Sequence, residues 1–157
     1  ALAMAKAEEN GYQGCIMVPT EILAAQHFET LEQYLQPYGV RIALLTGGMR
    51  AKARRELLLN LELGLVDVVV GTHALLEEDV RFANLSLTVT DEQHRFGVEQ
   101  RARLSNKSAN APDVLVMTAT PIPRTLALTV YGDLDISVMK GRPPQRKPVR
   151  NRKYLWI

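Results

Sequence analysis

Residues 87–94 read LTVTDEQH. An apolar run of strand type brings two adjacent carboxylates, Asp91 and Glu92, to its exposed end. Such a pair can divide the work of nucleotide hydrolysis. Asp91 would hold Mg2+ through water, because Mg2+ dehydrates reluctantly and takes few protein ligands. Glu92 would orient the attacking water and take its proton. An Asp-Glu dipeptide also opens many ordinary loops, so the pair gains weight only from its surroundings.

Three further segments supply those surroundings. PTEILAAQ, residues 19–26, follows an apolar run and opens a helix, whose free N–H groups suit phosphate. GTHALL, residues 71–76, places a glycine, a hydroxyl and an imidazole at another strand end. TATP, residues 118–121, places two hydroxyls at a third. Each alone reads equally well as a helix cap or a turn. His27 has no motif role and is expected to face solvent.

The elements that must position these residues alternate. Residues 2–9 are Ala-rich and stop at Asn10-Gly11, which predicts a helix. GCIMV, 14–18, is a short apolar run suited to a buried strand. Thr20 caps a helix running to about Gln36, with Ile22, Leu23, Phe28, Leu31 and Leu35 on its apolar face. Strands are expected at 40–45, 67–70, 85–90 and 113–117, with a final one at 136–139. Helices are expected at 51–63, stopped by Gly64, and at 121–131, with Pro123 in the first turn. Met4, Met17 and Met117 are expected in the core. Continuous apolar strands alternating with helices predict a parallel sheet covered on both faces. In open sheets of this type ligands bind at the carboxyl ends of the strands. Pro19-Thr20, Gly47-Gly48, Thr72-His73, Asp91-Glu92 and Thr118-Ala119-Thr120 all fall there.

Composition narrows the class. Of 157 residues, 46% are apolar and 23% charged, values ordinary for one globular domain. No apolar run approaches the roughly 18 residues of a membrane span, and ALAMAKAEEN does not read as a signal peptide. A single cysteine, Cys15, rules out an internal disulfide framework and reads as a small core residue in a reducing compartment. The net charge of +2 is uneven. Residues 142–153 hold six of the 19 basic residues and none of the 17 acidic ones, leaving the remainder at −4. That basic, Pro-rich stretch reads as a solvated linker or as a nucleic-acid contact.

PTEILAAQ, GTHALL, DEQHRFGVEQR, MTATPIPRTLAL and YGDLDISV resemble, in that order, the motor segments of superfamily 2 helicases, in particular the RecG-type ATP-dependent DNA helicases. Transcription–repair coupling factors share TATPIPRT but tend to carry DEEHRFGV, so Gln93 and YGDLD favour the RecG type. The resemblance implies a three-layer α/β RecA-like lobe over residues 1–140, an inter-lobe linker at 141–150 and the start of a second lobe at 151–157. It implies ATP and Mg2+ as cofactors, with Asp91 and Glu92 as the Walker B pair. Gln93 and His94 would couple nucleotide state to DNA, and Thr118, Ala119 and Thr120 would link hydrolysis to strand movement. Pro19, Thr20, Gln26, Gly47, Gly48, Thr72 and His73 would contact nucleic acid. The implied partners are branched double-stranded and single-stranded DNA and a second RecA-like lobe, with no membrane, in a bacterial cytoplasm and nucleoid.

The sequence departs from that pattern in one large respect: it contains no G-x-x-x-x-G-K-[ST]. The expectation is a lobe lacking its P-loop strand and inactive by itself, with an ATP-driven helicase as the parent. Two other readings are a nucleic-acid-binding module that keeps the fold without catalysis, and a flavodoxin-like receiver domain. The second needs acids at the end of the first strand, and GCIMVPT has none.

Overall fold

The computed structural model describes residues 1–91, 103, 104, 107, 111–118, 135 and 137–139. The chain divides into two compact units, Ala1–Thr120 and Pro121–Ile157. In the first, helix α1 spans Leu2–Glu9, strand β1 Gln13–Met17 and helix α2 Glu21–Leu35. Strand β2 covers Ile42–Leu45, helix α3 Ala51–Glu62 and strand β3 Val68–Gly71. A 3-10 turn, His73–Leu76, precedes strands β4 (Leu85–Thr90) and β5 (Asp113–Val116).

The five strands form one parallel sheet in the order β2-β3-β1-β4-β5. Alternate strand residues serve two cores. Ile16, Val18, Val68, Val70 and Val89 face α1 and α2 and pack with Met4, Ala24, Leu31 and Leu35. Cys15, Met17, Leu45 and Val69 face the other way, against Leu61, Leu75 and Leu104. Both faces of the sheet are therefore covered, as the unbroken apolar strands require. The result is a three-layer α/β domain.

Local chemistry sets the element ends. The Thr20 hydroxyl accepts from the Leu23 N–H at 3.3 Å and caps α2. Gly64 ends α3 with φ +72°, a left-handed position open to glycine at no steric cost. Gln13 extends β1 one residue before the apolar run because its polar atoms are satisfied. Its Nε2 donates to the carbonyls of Leu61 and Val66 at 2.9 and 2.8 Å, and its Oε1 accepts from the Asn84 N–H at 2.9 Å.

Three expectations need correction. Ile22 is 74% exposed, and the buried stripe of α2 is Ala24, Leu31 and Leu35. Ile22 sits two residues from Ala24, about 200° around the helix, so it points away from the sheet. Met117 lies just past β5 and is 36% exposed rather than core. Ser137–Met139 are not in a strand, and Val138 and Met139 are exposed. The expected helix at 121–131 and the segments at 141–150 and 151–157 lie outside the described residues.

Candidate functional site

The chain leaves β1 toward β3 and β2, and leaves β4 toward β5. The seam between β1 and β4 is thus the point where the winding direction reverses, the position at which an open parallel sheet forms its ligand crevice. Asp91 stands at that seam. Its N–H donates to the Met17 carbonyl at 3.0 Å, which places it one residue beyond the β1–β4 ladder. On its other side, the Met117 N–H donates to the Thr90 carbonyl at 2.8 Å. Met117, the residue that follows β5, therefore stands in register with Asp91, and Thr118 is next along the chain.

The side chain of Asp91 reaches back across the seam to α2. Its Oδ2 accepts a hydrogen bond from His27 Nε2 at 2.9 Å. Both side chains are partly buried, 29% exposed for His27 and 23% for Asp91. The expectation that His27 faces solvent is corrected here. The signal was present in the sequence: His27 lies three residues after Ala24 and four before Leu31, so it shares the stripe that faces the sheet. Glu92, Gln93, His94, Ala119 and Thr120 lie outside the described residues.

The other predicted residues line the ends of β1, β3 and β2. Pro19 is half-buried and Thr20 and Gln26 are exposed on the start of α2. Gly47 and Gly48 form an exposed turn after β2. The Gly48 N–H donates to Glu21 Oε1 at 3.2 Å, tying this turn to the first turn of α2. After β3, Thr72 is buried and His73 is exposed, so His73 is the member of that pair with a side chain on the outer surface. Gly71 before them is sterically required. A Cβ there would lie 2.5 Å from the Leu45 carbonyl oxygen and 2.9 Å from the Leu75 side chain.

The segment that follows His73 is pinned from two directions. Arg54 Nη2, on α3, donates to Glu77 Oε2 at 2.6 Å and to Asp79 Oδ1 at 2.9 Å. Lys107 Nζ donates to the carbonyls of Glu77 and Val80 at 2.6 and 2.9 Å. Burial lowers the pKa of Lys107, opposed by Asp79 and the neighbouring acids. Neither Arg54 nor Lys107 had a motif to mark it in the sequence.

The carboxyl edge thus has two halves that meet at the seam. The ends of β2, β3 and β1 carry the candidate nucleic-acid residues, while the ends of β4 and β5 carry Asp91 and Thr118. No group of three or more His, Cys, Asp or Glu able to hold a metal occurs among the described residues. One carboxylate at a strand end is still a fitting donor for a cation that keeps most of its waters. Among the described residues no helix is long and apolar enough to cross a membrane.

Residues 1–129 match the model of the DEAD/DEAH box helicase family. Over its whole length the chain is 54% identical to the ATP-dependent DNA helicase RecG of Bacillus subtilis (strain 168), covering 22% of that protein. It is 49% identical to the RecG of Haemophilus influenzae over 95% of the chain and 22% of that protein. The chain spans about a fifth of the length of these curated relatives. Among solved structures, RecG bound to a three-way DNA junction matches with a TM-score of 0.75 and 43% identity, over 93% of this chain and 19% of that one. The Mycobacterium smegmatis helicase Lhr, bound to single-stranded DNA and AMP-PNP, matches with a TM-score of 0.60 at 15% identity, over 74% of this chain and 16% of that one, a likeness of fold.

Proposed function

The chain belongs to the DEAD/DEAH box helicase family, with a RecA-like sheet, and from that premise we propose that it is part of the first lobe of a RecG-type ATP-driven motor acting on branched DNA. The observation that supports this most is the position of Asp91 at the β1–β4 seam, between the two halves of the carboxyl edge. Hydrolysis and nucleic-acid contact would then share the strand ends of one sheet.

The roles follow from chemistry and position. Asp91 would hold Mg2+ through water at the seam. Glu92, the next residue, accepts the proton of the attacking water. Mg2+, when bound, neutralises charge on the phosphate oxygens of ATP. Gln93 and His94, with Thr118, Ala119 and Thr120, connect that site to the nucleic acid and to a second lobe. Thr20, Gln26, Gly47, Gly48 and His73 offer exposed hydroxyl, amide, backbone and imidazole groups to a DNA backbone. Pro19 and the buried Thr72 shape the turns that present them. Gly47 and Gly48 are informative because neither needs glycine for internal reasons. Neither has a left-handed φ, and an added Cβ would meet only the Glu21 carboxylate, at 3.8 Å. What their missing side chains keep clear is the outer surface.

The phosphate cradle is not among these 157 residues, so the stretch alone is expected neither to hydrolyse ATP nor to unwind DNA. Segments 1–140, 141–150 and 151–157 are the proposed lobe, linker and start of a second lobe, and the parent is proposed to work in the bacterial cytoplasm on forks and Holliday junctions. The six cations at 142–153 would add salt-sensitive affinity for DNA.

Strand displacement from a labelled three-way junction by the full-length protein tests the proposal. ATP-dependent displacement is expected. A protein that hydrolyses ATP yet leaves forked and Holliday-type DNA intact, with hydrolysis indifferent to DNA, would overturn it.

A further inference from the structure

The contact between His27 and Asp91 joins two things that the functional reading keeps apart. His27 belongs to α2, the helix that begins at Thr20 and carries Gln26 on its exposed side. Asp91 belongs to the hydrolytic half of the edge. A carboxylate can only accept, so His27 donates through Nε2–H to Oδ2 at 2.9 Å. Consecutive residues of one helix therefore point to different sites, Gln26 outward and His27 onto Asp91.

Stability does not account for the pairing well. The pair is partly buried, and one hydrogen bond of this kind contributes only modestly to folding. Geometry is another matter. The bond engages Oδ2 and so helps set the plane of the carboxylate that is read here as the Mg2+-orienting group. Hydrogen-bond partners of groups at a metal site typically tune affinity or activity by about 10–100-fold.

The donor is also well anchored. Helix α2 is capped by Thr20 and packed through fully buried Ala24 and nearly buried Leu31 and Leu35. A helix held in that way moves as a unit, and His27 moves with it. Its first turn is fastened to the Gly47–Gly48 turn through Glu21, so a load on that turn reaches the same helix.

We propose that His27 is a positioning residue that ties the orientation of the Asp91 carboxylate to the seating of α2, and so couples nucleic-acid contact at Thr20 and Gln26 to the hydrolytic site. This rests on the reading of Asp91 as the metal-orienting carboxylate. Nucleic acid that shifts α2 would shift the carboxylate without any large movement of the sheet.

The test is made in the full-length protein with three substitutions: His27→Ala, His27→Gln and Asp91→Asn. Phosphate release is measured against Mg2+ concentration, with and without forked DNA, alongside DNA affinity and the thermal midpoint. For His27→Ala the Mg2+ concentration giving half-maximal turnover should rise about tenfold or more, and stimulation by DNA should fall by a similar factor. DNA affinity and thermal midpoint should stay near wild type. Gln places a donor N–H close to the position of Nε2, so His27→Gln should recover most of both effects. If His27→Ala matches wild type in both readouts, or if Gln rescues no better than Ala, the inference is overturned while the site assignment stands. If Asp91→Asn itself keeps wild-type turnover, the underlying assignment fails and this inference with it.

Discussion

The N–H of Asp91 donates to the carbonyl of Met17 at 3.0 Å, one residue beyond the last paired positions of β1 and β4. Two central strands thus end together, and the acidic residue is held by backbone at the seam where the sheet changes its winding direction. Val18, which follows β1, and Met117, which follows β5, are level with it by register rather than by long side-chain reach.

Gly48→Ala separates a binding role from a structural one. The added methyl would meet only a carboxylate at ordinary contact distance, and the backbone is not left-handed. Urea unfolding should therefore change by less than about 1 kcal/mol, toward greater stability if at all. DNA binding by the full-length protein should weaken by several-fold, about what one impaired backbone contact contributes. Unchanged DNA affinity would remove this turn from the nucleic-acid surface.

Asp67→Asn acts at the opposite edge of the sheet. Arg41 grips Asp67 with Nε to Oδ2 at 2.9 Å and Nη2 to Oδ1 at 2.6 Å, and its backbone N–H adds a third bond at 2.7 Å. Burial pushes the Asp67 carboxyl up, but the hydrogen bonds and charge of Arg41 outweigh it, so the carboxyl lies below its ordinary value. A carboxyl lowered in the folded state stabilises above its unfolded value of about 3.9 and loses that contribution as pH falls through the folded value. The substitution should cost roughly 1.5–3 kcal/mol at pH 7. The difference between wild type and variant should shrink below about pH 4, as measured by denaturant unfolding across pH. A pH-independent difference would show that packing, rather than charge, sets the cost.

The parts of the fold written in continuous apolar runs were legible. GCIMV, DVVV and LSLTVT announce buried parallel strands, and Thr20 and Gly64 mark helix ends through local chemistry. The rest depends on angular position within a helix and on contacts distant in sequence. Gln13 is buried because backbone groups from residues 61, 66 and 84 satisfy it. Residue type alone places Ile22 inward, whereas its angular position on α2 points out. Helical spacing turns His27 toward the sheet, but it does not name a partner 64 residues away. The candidate site was legible as a set of strand ends. Which strand ends neighbour one another was not, because strand order is a property of the sheet.

Cys15 provides a probe of the intact core. It is fully buried in the central strand, and burial raises its thiol to about 12, opposed by nearby Lys107. At pH 8 the reactive thiolate is then a minute fraction, on the order of 10⁻⁴. A thiol reagent should leave the native protein unmodified over hours and label it fully in denaturant. Rapid labelling of the native protein would mean that the sheet opens locally far more often than its packing indicates.

The most direct measurement is steady-state phosphate release by the full-length protein carrying Glu92→Gln, with and without forked DNA, together with nucleotide binding. The substitution keeps the size of the side chain and its capacity for hydrogen bonding, and removes the base that follows Asp91. We expect turnover to fall by about 10²–10⁴-fold in both conditions while nucleotide and forked DNA still bind. Turnover at the wild-type rate would contradict the assignment of hydrolysis to the Asp91–Glu92 end of β4.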